Sequence, residues 1–325
     1  MRRFIGITLA GLGGFLIVVG LLTRTYTGGH VLKFPLNEYV KTQSRGTDIT
    51  YFSPSVASKV SGATLVATYT VQGDAAAGTS STAVWNEFSY LYDVTNLTPF
   101  QWSTWRFAFD RHTADLVSCC QANLNGSSAI RQSGLAGLLW PIGTQKTTYQ
   151  VFNPELRRPW PAKFAGTATI DGITVYRFVE HVPPTRAGSQ NLPASLVGMK
   201  GSSMVTLPQY YTGTSTFWVD PDTGLPLNTT QDLKETLRDP ATGAERLVLF
   251  DGTLRFTPQS VRTMVNIDNP RRGQIQLVEV TLPLVAGLAG VVALIAGILL
   301  GRPRRGRGDR PEDADTNLPQ PALGR

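Results

Sequence analysis

Two kinds of apolar pattern alternate along the chain. Phe4 to Leu22 (FIGITLAGLGGFLIVVGLL) and Val280 to Gly301 (VTLPLVAGLAGVVALIAGILLG) are continuous runs without a charged side chain. Each is long enough to cross a hydrocarbon core of ~30 Å as a helix. Between them the pattern changes to alternation of apolar and polar positions, the signature of a half-buried strand. It is clearest at Ala63–Val71, Ala83–Val94, Trp102–Phe109, Ala168–Val179, Thr214–Val219 and Leu247–Phe256. Asp171-Gly172, Pro221-Asp222-Thr223-Gly224 and Asp251-Gly252 read as turns between strands. The pattern therefore predicts a membrane-anchored, mainly β (α+β) protein. A large antiparallel β ectodomain, 23–279, lies between an N-terminal transmembrane helix, 4–22, and a C-terminal one, 280–301.

One helix is predicted inside that domain, over 257–271. Thr257 can cap it, Pro258 suits its first position, and Val261, Met264 and Val265 share a face. The ectodomain also carries a faint internal likeness. Ser103–Ala114 (STWRFAFDRHTA) and Thr214–Gly224 (TSTFWVDPDTG) both give an aromatic strand, then Asp-x-x-Thr-small. This predicts two related curved-sheet lobes, 30–150 and 151–256.

Charge sharpens the topology. Of 325 residues only 16% are charged, and the net charge is +7. Arg2 and Arg3 precede the first span, and Arg302, Arg304, Arg305, Arg307 and Arg310 follow the second. The two flanks, 1–22 and 302–325, carry +2 each, leaving +3 on the residues outside. Arginine on the outer flanks predicts a two-pass plasma-membrane protein with both termini cytoplasmic: a short stub, 1–3, and a disordered tail, 302–325. The nearly neutral ectodomain has no basic footprint, which argues against a nucleic-acid partner. The first span is read as an uncleaved anchor. Its apolar run exceeds that of a signal peptide and no A-x-A site follows; the alternative is a cleaved leader.

Small residues recur four apart in both spans: Gly6, Ala10 and Gly14 in one, Ala289, Ala293, Gly297 and Gly301 in the other. Such rows let helix backbones approach in lipid, and predict that the spans pack together. The competing reading is the general Gly/Ala richness of membrane helices.

The sequence offers little chemistry. His30, His112 and His181 stand alone, and no zinc pattern, P-loop, dinucleotide fingerprint or nucleophile elbow occurs. No catalytic residue, metal ligand or cofactor is expected, and the protein is read as a non-enzyme. Asp222-Thr223-Gly224 matches the tripeptide of aspartic proteases, but Pro221 and Leu225 break the surrounding pattern and His112-Thr113-Ala114 supplies no second Asp. Turn chemistry accounts for it better. Cys119-Cys120 is the one thiol pair. In an oxidising compartment it can close a vicinal disulfide, stay reduced, or pair between chains.

Several stretches in fixed order resemble an actinobacterial membrane-protein family labelled "porin PorA family". They are the anchor, Leu32-Lys33-Phe34-Pro35-Leu36, Asp115 to Cys119-Cys120, Arg131-Gln132-Ser133-Gly134-Leu135, and Thr148-Tyr149 before Asn153-Pro154. Gly166 to Phe178, Trp218-Val219-Asp220-Pro221 with Thr223-Gly224, and the C-terminal span complete the set. The resemblance implies a cell-envelope protein of a high-GC Gram-positive bacterium and brings no site residues. Trp218 to Leu227 is also similar to a hairpin of bacterial lipid-carrier half-barrels, whose concave face is apolar. A porin barrel needs strands with an apolar outer band. Here the spans are helices whose only polar side chains are Thr8 and Thr281.

The expected function is binding or transfer of an apolar or lipid envelope component, or scaffolding of envelope partners. The alternative is an oligomeric channel. Membrane lipids, a homo-oligomer or an envelope protein are the expected partners. Trp85, Phe88, Tyr90, Tyr92, Trp102, Trp105, Phe107 and Phe109 supply aromatic surface, for a ligand or simply for a core.

Overall fold

In the computed structural model, residues 2–30, 32–201 and 203–302 are described; nearly all of the predicted tail, 303–325, lies outside them. The chain forms two compact units.

The first unit pairs two helices, α1 (Arg2–His30, through Leu22) and α3 (Leu282–Gly301). They meet through glycine. A Cβ on Gly6 would lie 2.8 Å from the Gly297 carbonyl oxygen, and one on Gly13 would lie 2.6 Å from that of Gly290. Gly20 approaches the Pro283 carbonyl to 3.0 Å in the same sense. The contact recurs every seven residues, not every four. Four residues turn a helix about 40° past a full circle, whereas seven fall short by about 20°, so a strict four-residue row drifts off the seam. Gly6, Ala10, Gly297 and Gly301 touch it; Gly14 has open space beside it and Ala289 is exposed, which corrects the predicted rows. Ala293 is half-buried.

The second unit, 23–281, is mainly one twelve-stranded antiparallel sheet. Its strands are β1 (Tyr39–Ser53), β2 (Ser58–Gly73), β3 (Thr82–Asp93), β4 (Thr98–Asp110), β5 (Leu116–Val117), β6 (Asn123–Leu124), β7 (Tyr149–Asn153), β8 (Arg158–Ile170), β9 (Ile173–Pro193), β10 (Met204–Val219), β11 (Pro226–Arg238) and β12 (Glu245–Phe256). The order is β5-β4-β3-β2-β1-β12-β11-β10-β9-β8-β7, with β6 beside β4. From β1 to β4 and from β7 to β12 each strand pairs with its sequence neighbours, β5 and β6 both pair with β4, and the first strand pairs with the last. The segments 30–150 and 151–256 are thus two arms of one sheet, joined where Ser44 faces Phe256 and Tyr51 faces Phe250. The sheet curls into a half-barrel. Gly134–Leu135 crosses its open side: the Leu116 amide donates to the Gly134 carbonyl, Leu135 to Gln150, and Phe152 to Leu135, at 2.7, 2.8 and 2.8 Å.

One turn recurs around the rim. In it an Asp or Asn side chain accepts from an amide two or three residues on, and the fifth residue has positive φ. It occurs at Asp93–Leu97, Asp110–Ala114, Asn153–Arg157, Asp220–Gly224 and Asp239–Gly243. The Asp-x-x-Thr-small likeness between the halves is this turn, which the third site, Asp239-Pro240-Ala241-Thr242-Gly243, shares. Asp171-Gly172 is a turn, as its two positive φ values require. Asp251-Gly252 is not; both lie inside β12. Gly252 is small there because a Cβ would meet Ile49 Cγ1 at 2.7 Å.

The predicted helix runs further than expected, as α2 (Pro258–Gln276), and continues through a π-turn, Leu277–Thr281, into α3. Thr257 caps it by accepting from the Ser260 amide, and Met264 and Val265 are buried. Pro270 does not end it, since a chain of apolar and ionic contacts holds it to the sheet on both sides of that residue.

Candidate functional site

Alternation along the strands sends one set of side chains into the half-barrel. At the α2 end these pack a dense core of Phe34, Trp85, Phe107, Phe109, Trp140 and Phe178, with Trp140 stacked on Phe178 at 4.3 Å. At the other end a second cluster gathers around Ile49, Tyr51, Leu65 and Phe250. A cavity of about 280 Å³ lies between them.

Its wall is mixed. Trp85, Trp105, Phe152, Phe217 and Phe250 give it aromatic surface, and Met264 and Ile267 of α2 close one side. Beside Glu38, which pairs with Arg271, four more glutamates face the same space: Glu87, Glu155, Glu180 and Glu235. Glu87 stands opposite Trp105, Glu180 opposite Ser215, and Glu235 opposite Tyr211 in the register of neighbouring strands. Glu155 reaches in from the β7–β8 turn. It is the exposed member of the four.

Low-dielectric surroundings disfavour a carboxylate, so burial raises all four. It pushes Glu87 and Glu180 up to about 7 and Glu235 to about 8; Glu155 rises in the same direction. For Glu235 the neighbouring Glu155 adds to the effect, and the Gln209 amide, donating at 2.9 Å, opposes it. Asn153 donates to Glu180 at 2.9 Å and opposes burial there too. A neutral carboxyl both donates and accepts, so near neutral pH this band presents hydrogen-bonding groups of both kinds beside aromatic faces. Among the described residues, no three His, Cys, Asp or Glu side chains are placed to hold a metal ion.

The aromatic residues singled out in the sequence divide three ways. Trp85 and Trp105 line the lumen, and Phe107 and Phe109 fill the core below it. Phe88 and Trp102 are exposed, at 45% and 73%, although Trp102 also borders the cavity. Tyr90 and Tyr92, half-buried, share the β3 face of Phe88, opposite in parity to Trp85. Cys119 and Cys120 are joined as a vicinal disulfide and do not line the lumen. The Cys120 carbonyl accepts from Arg106, which also binds Asp74 and Asn86. The glutamates were missed, yet the signal was legible. Glu87 has the strand parity of Trp85, Glu180 that of Phe178 and Val182, and Glu235 that of Leu233 and Leu237. A carboxyl at a core-facing position of an alternating strand is a buried carboxyl.

The strands' opposite face carries Lys41 and Arg45, Arg106, Asp232 and Lys234, and Asp251 and Arg255. Among the described residues these charges interrupt that face, which Phe88, Tyr90 and Tyr92 share on β3. Fold and lumen together define a membrane protein with a β half-barrel and two apolar terminal helices. The model of the Porin PorA family matches residues 5–299, and the chain belongs to that family. Two relatives carry the name Porin PorA. The one from Corynebacterium resistens (strain DSM 45100 / JCM 12819 / GTC 2026 / SICGH 158) is 24% identical over 282 residues, covering 64% of this chain and 68% of the relative. The one from Corynebacterium amycolatum is 28% identical over 119 residues, covering 29% and 31%.

Proposed function

We propose that this porin-like envelope protein holds one amphipathic envelope molecule in its half-barrel, anchored by two membrane-crossing helices with both termini cytoplasmic. The cavity carries this reading. It sets aromatic surface against hydrogen-bonding carboxyls in one partly enclosed space, the composition of a small-molecule pocket. The lumen is less apolar than a carrier of bare hydrocarbon requires, so the ligand has a polar head as well as an apolar body. Native mass spectrometry of the detergent-purified full chain, with lipid extraction, tests it. A stoichiometric adduct is expected. Ser89→Trp places an indole in the lumen between the Tyr69 and Ser103 positions, and is expected to cut adduct occupancy at least tenfold while the thermal midpoint is kept. Repeated absence of any adduct from wild type removes the reading.

A second reading, conduction, is favoured by the carboxyl band and by the relatives' printed name. Rings of carboxylates select cations in pores. The charges on the outer face of the strands mean that a pore needs several copies or the helices. Planar-bilayer recordings decide it; a flat trace over a range of protein concentrations eliminates conduction.

The anchor is part of the proposal. The two spans cross as a pair seamed by Gly6, Gly13, Gly20, Gly290 and Gly297. Gly13→Leu is expected to separate them, because its side chain must displace the backbone at Gly290 and Leu294. Crosslinking with a bis-maleimide between cysteines at positions 10 and 301, where a Cβ on Gly301 meets nothing within 4 Å, reports the loss; undiminished crosslinking argues against the seam.

A further inference from the structure

Beyond the lumen itself, α2 is fastened to the sheet at the β10–β11 turn. The β10–β11 turn and α2 bring together Asp220, Asp222, Asp268 and Arg272. Asp220 and Asp268 are wholly buried, and Thr223 beside them is 2% exposed. Asp220 Oδ1 accepts from the Asp222 amide at 2.8 Å, and Asp268 Oδ1 accepts from the Thr223 hydroxyl. The Oδ2 atom of each carboxyl is buried and finds no donor. Thr223, in the same turn as Asp220, draws Asp268 against that turn, so the two buried carboxyls act directly on each other. Only a proton shared between them satisfies both acceptors, because an unpaired buried carboxylate oxygen is costly. Arg272 stands 3.6 Å from Asp220 and 3.3 Å from Asp222, enough to balance one negative charge but not three.

This contact matters because α2 is a wall of the lumen. Met264 and Ile267 line the cavity, and Arg271, bonded to Glu38, closes its corner. Asp268 lies between Ile267 and Arg271, and the chain runs on from α2 into the second span.

We propose that the Asp220–Asp268 acid pair is a proton-held latch that keeps α2 seated as the movable wall of the lumen. Losing the shared proton leaves two carboxylates face to face in a dry site, and the helix is the element free to move away. The direction of the pH effect is fixed. Burial, then the hydrogen bond and charge of Asp268, raise Asp220 from 3.8 to about 7. A group raised on folding stabilises the docked form at low pH and loses that contribution as pH rises through its folded value. The latch is therefore closed in acid and releases above neutrality. The charged groups facing Asp220 from the turn and the helix are Asp222, Asp268 and Arg272. Arg272 opposes release, and Asp222 promotes it.

Hydrogen exchange of the full chain in nanodiscs, corrected for intrinsic rates, tests this. From about pH 6 to about pH 8.5, protection of the α2 amides is expected to fall at least tenfold in wild type. Asp268→Asn keeps an acceptor for Thr223 and supplies a permanent donor to Asp220, so α2 protection should become independent of pH. Should Asp268→Asn not fold, Asp220→Asn serves the same purpose, because it removes the other half of the shared-proton site. Glu235→Gln alters the lumen but not the latch, and should retain the wild-type response. Wild-type protection that stays flat overturns the proposal, as does an Asp268→Asn or Asp220→Asn chain that follows wild type.

Discussion

The β domain is expected to lose on the order of 5 kcal/mol of stability as the pH is raised from about 5 to about 9. Most proteins gain stability over the acid part of that range, because their paired carboxylates are held below the unfolded value. Here the largest shifts run the other way. Glu87 and Glu180 rise from 4.5 to about 7, Glu235 from 4.5 to about 8, and Asp220 from 3.8 to about 7. The folded chain then binds more protons than the unfolded chain across that window, so stability must fall with pH. The contribution is complete below about pH 4 and is gone once pH has passed the folded values near 7 and 8. Added separately, the four groups exceed the figure given. Water entering the lumen as the carboxylates ionise relieves part of the penalty. Urea titrations at a series of pH values measure this directly. A midpoint that climbs or stays level between pH 6 and 9 contradicts it. Replacing Glu180 and Glu235 together by glutamine should flatten the slope, which separates the lumen from the latch.

Gly224→Val is expected to abolish folding of the β domain. Gly224 has φ +74, a conformation strained for any β-branched residue. A Cβ there would fall 2.0 Å from the Trp140 carbonyl oxygen. That carbonyl cannot retreat easily. The Trp140 amide donates to the Gly224 carbonyl at 2.8 Å, and the Trp140 ring, wholly buried, is stacked on Phe178 and edge-on to Tyr149. Strain and loss of Trp140 packing together cost more than about 4 kcal/mol, comparable with the whole margin of a typical domain. Loss of the near-ultraviolet dichroism of Trp140 and absence of a cooperative melt are the expected readings. Gly243→Val is the matched control. Gly243 holds the same position of the same turn, with φ +72, but nothing lies within 4 Å of its Cβ. It should cost only the backbone strain, about 1–2 kcal/mol.

Much of the architecture was legible because each layer rests on one period. Uncharged runs gave the two apolar terminal helices, and alternation gave most strands and their inward faces. Thr257-Pro258 gave the start of α2 to the residue. What was not legible depended on contacts distant in sequence. Nothing local tells β1 that its second partner is β12, or that Gly134–Leu135 crosses the open side. Asp251-Gly252 has the composition of a turn but is needed in a strand, where Ile49 leaves no room for a side chain. The spacing of the glycine seam was misread because four-residue rows are the familiar motif, while Gly6, Gly13 and Gly20 are seven apart. The lumen glutamates were readable by parity and were passed over, because a search for catalytic motifs looks for clusters in sequence. Glu87, Glu155, Glu180 and Glu235 come from three strands and a turn.

The pairing of the first strand with the last has a mechanical consequence. β1 begins and β12 ends at the same end of their shared ladder, where Ser44 faces Phe256. Force applied between the two ends of the β domain therefore peels these strands apart one hydrogen bond at a time, instead of shearing the whole ladder at once. The domain should yield to a low pulling force along this seam. The first extension should separate two arms that are each still folded, with the Gly134–Leu135 crossing as their remaining tie.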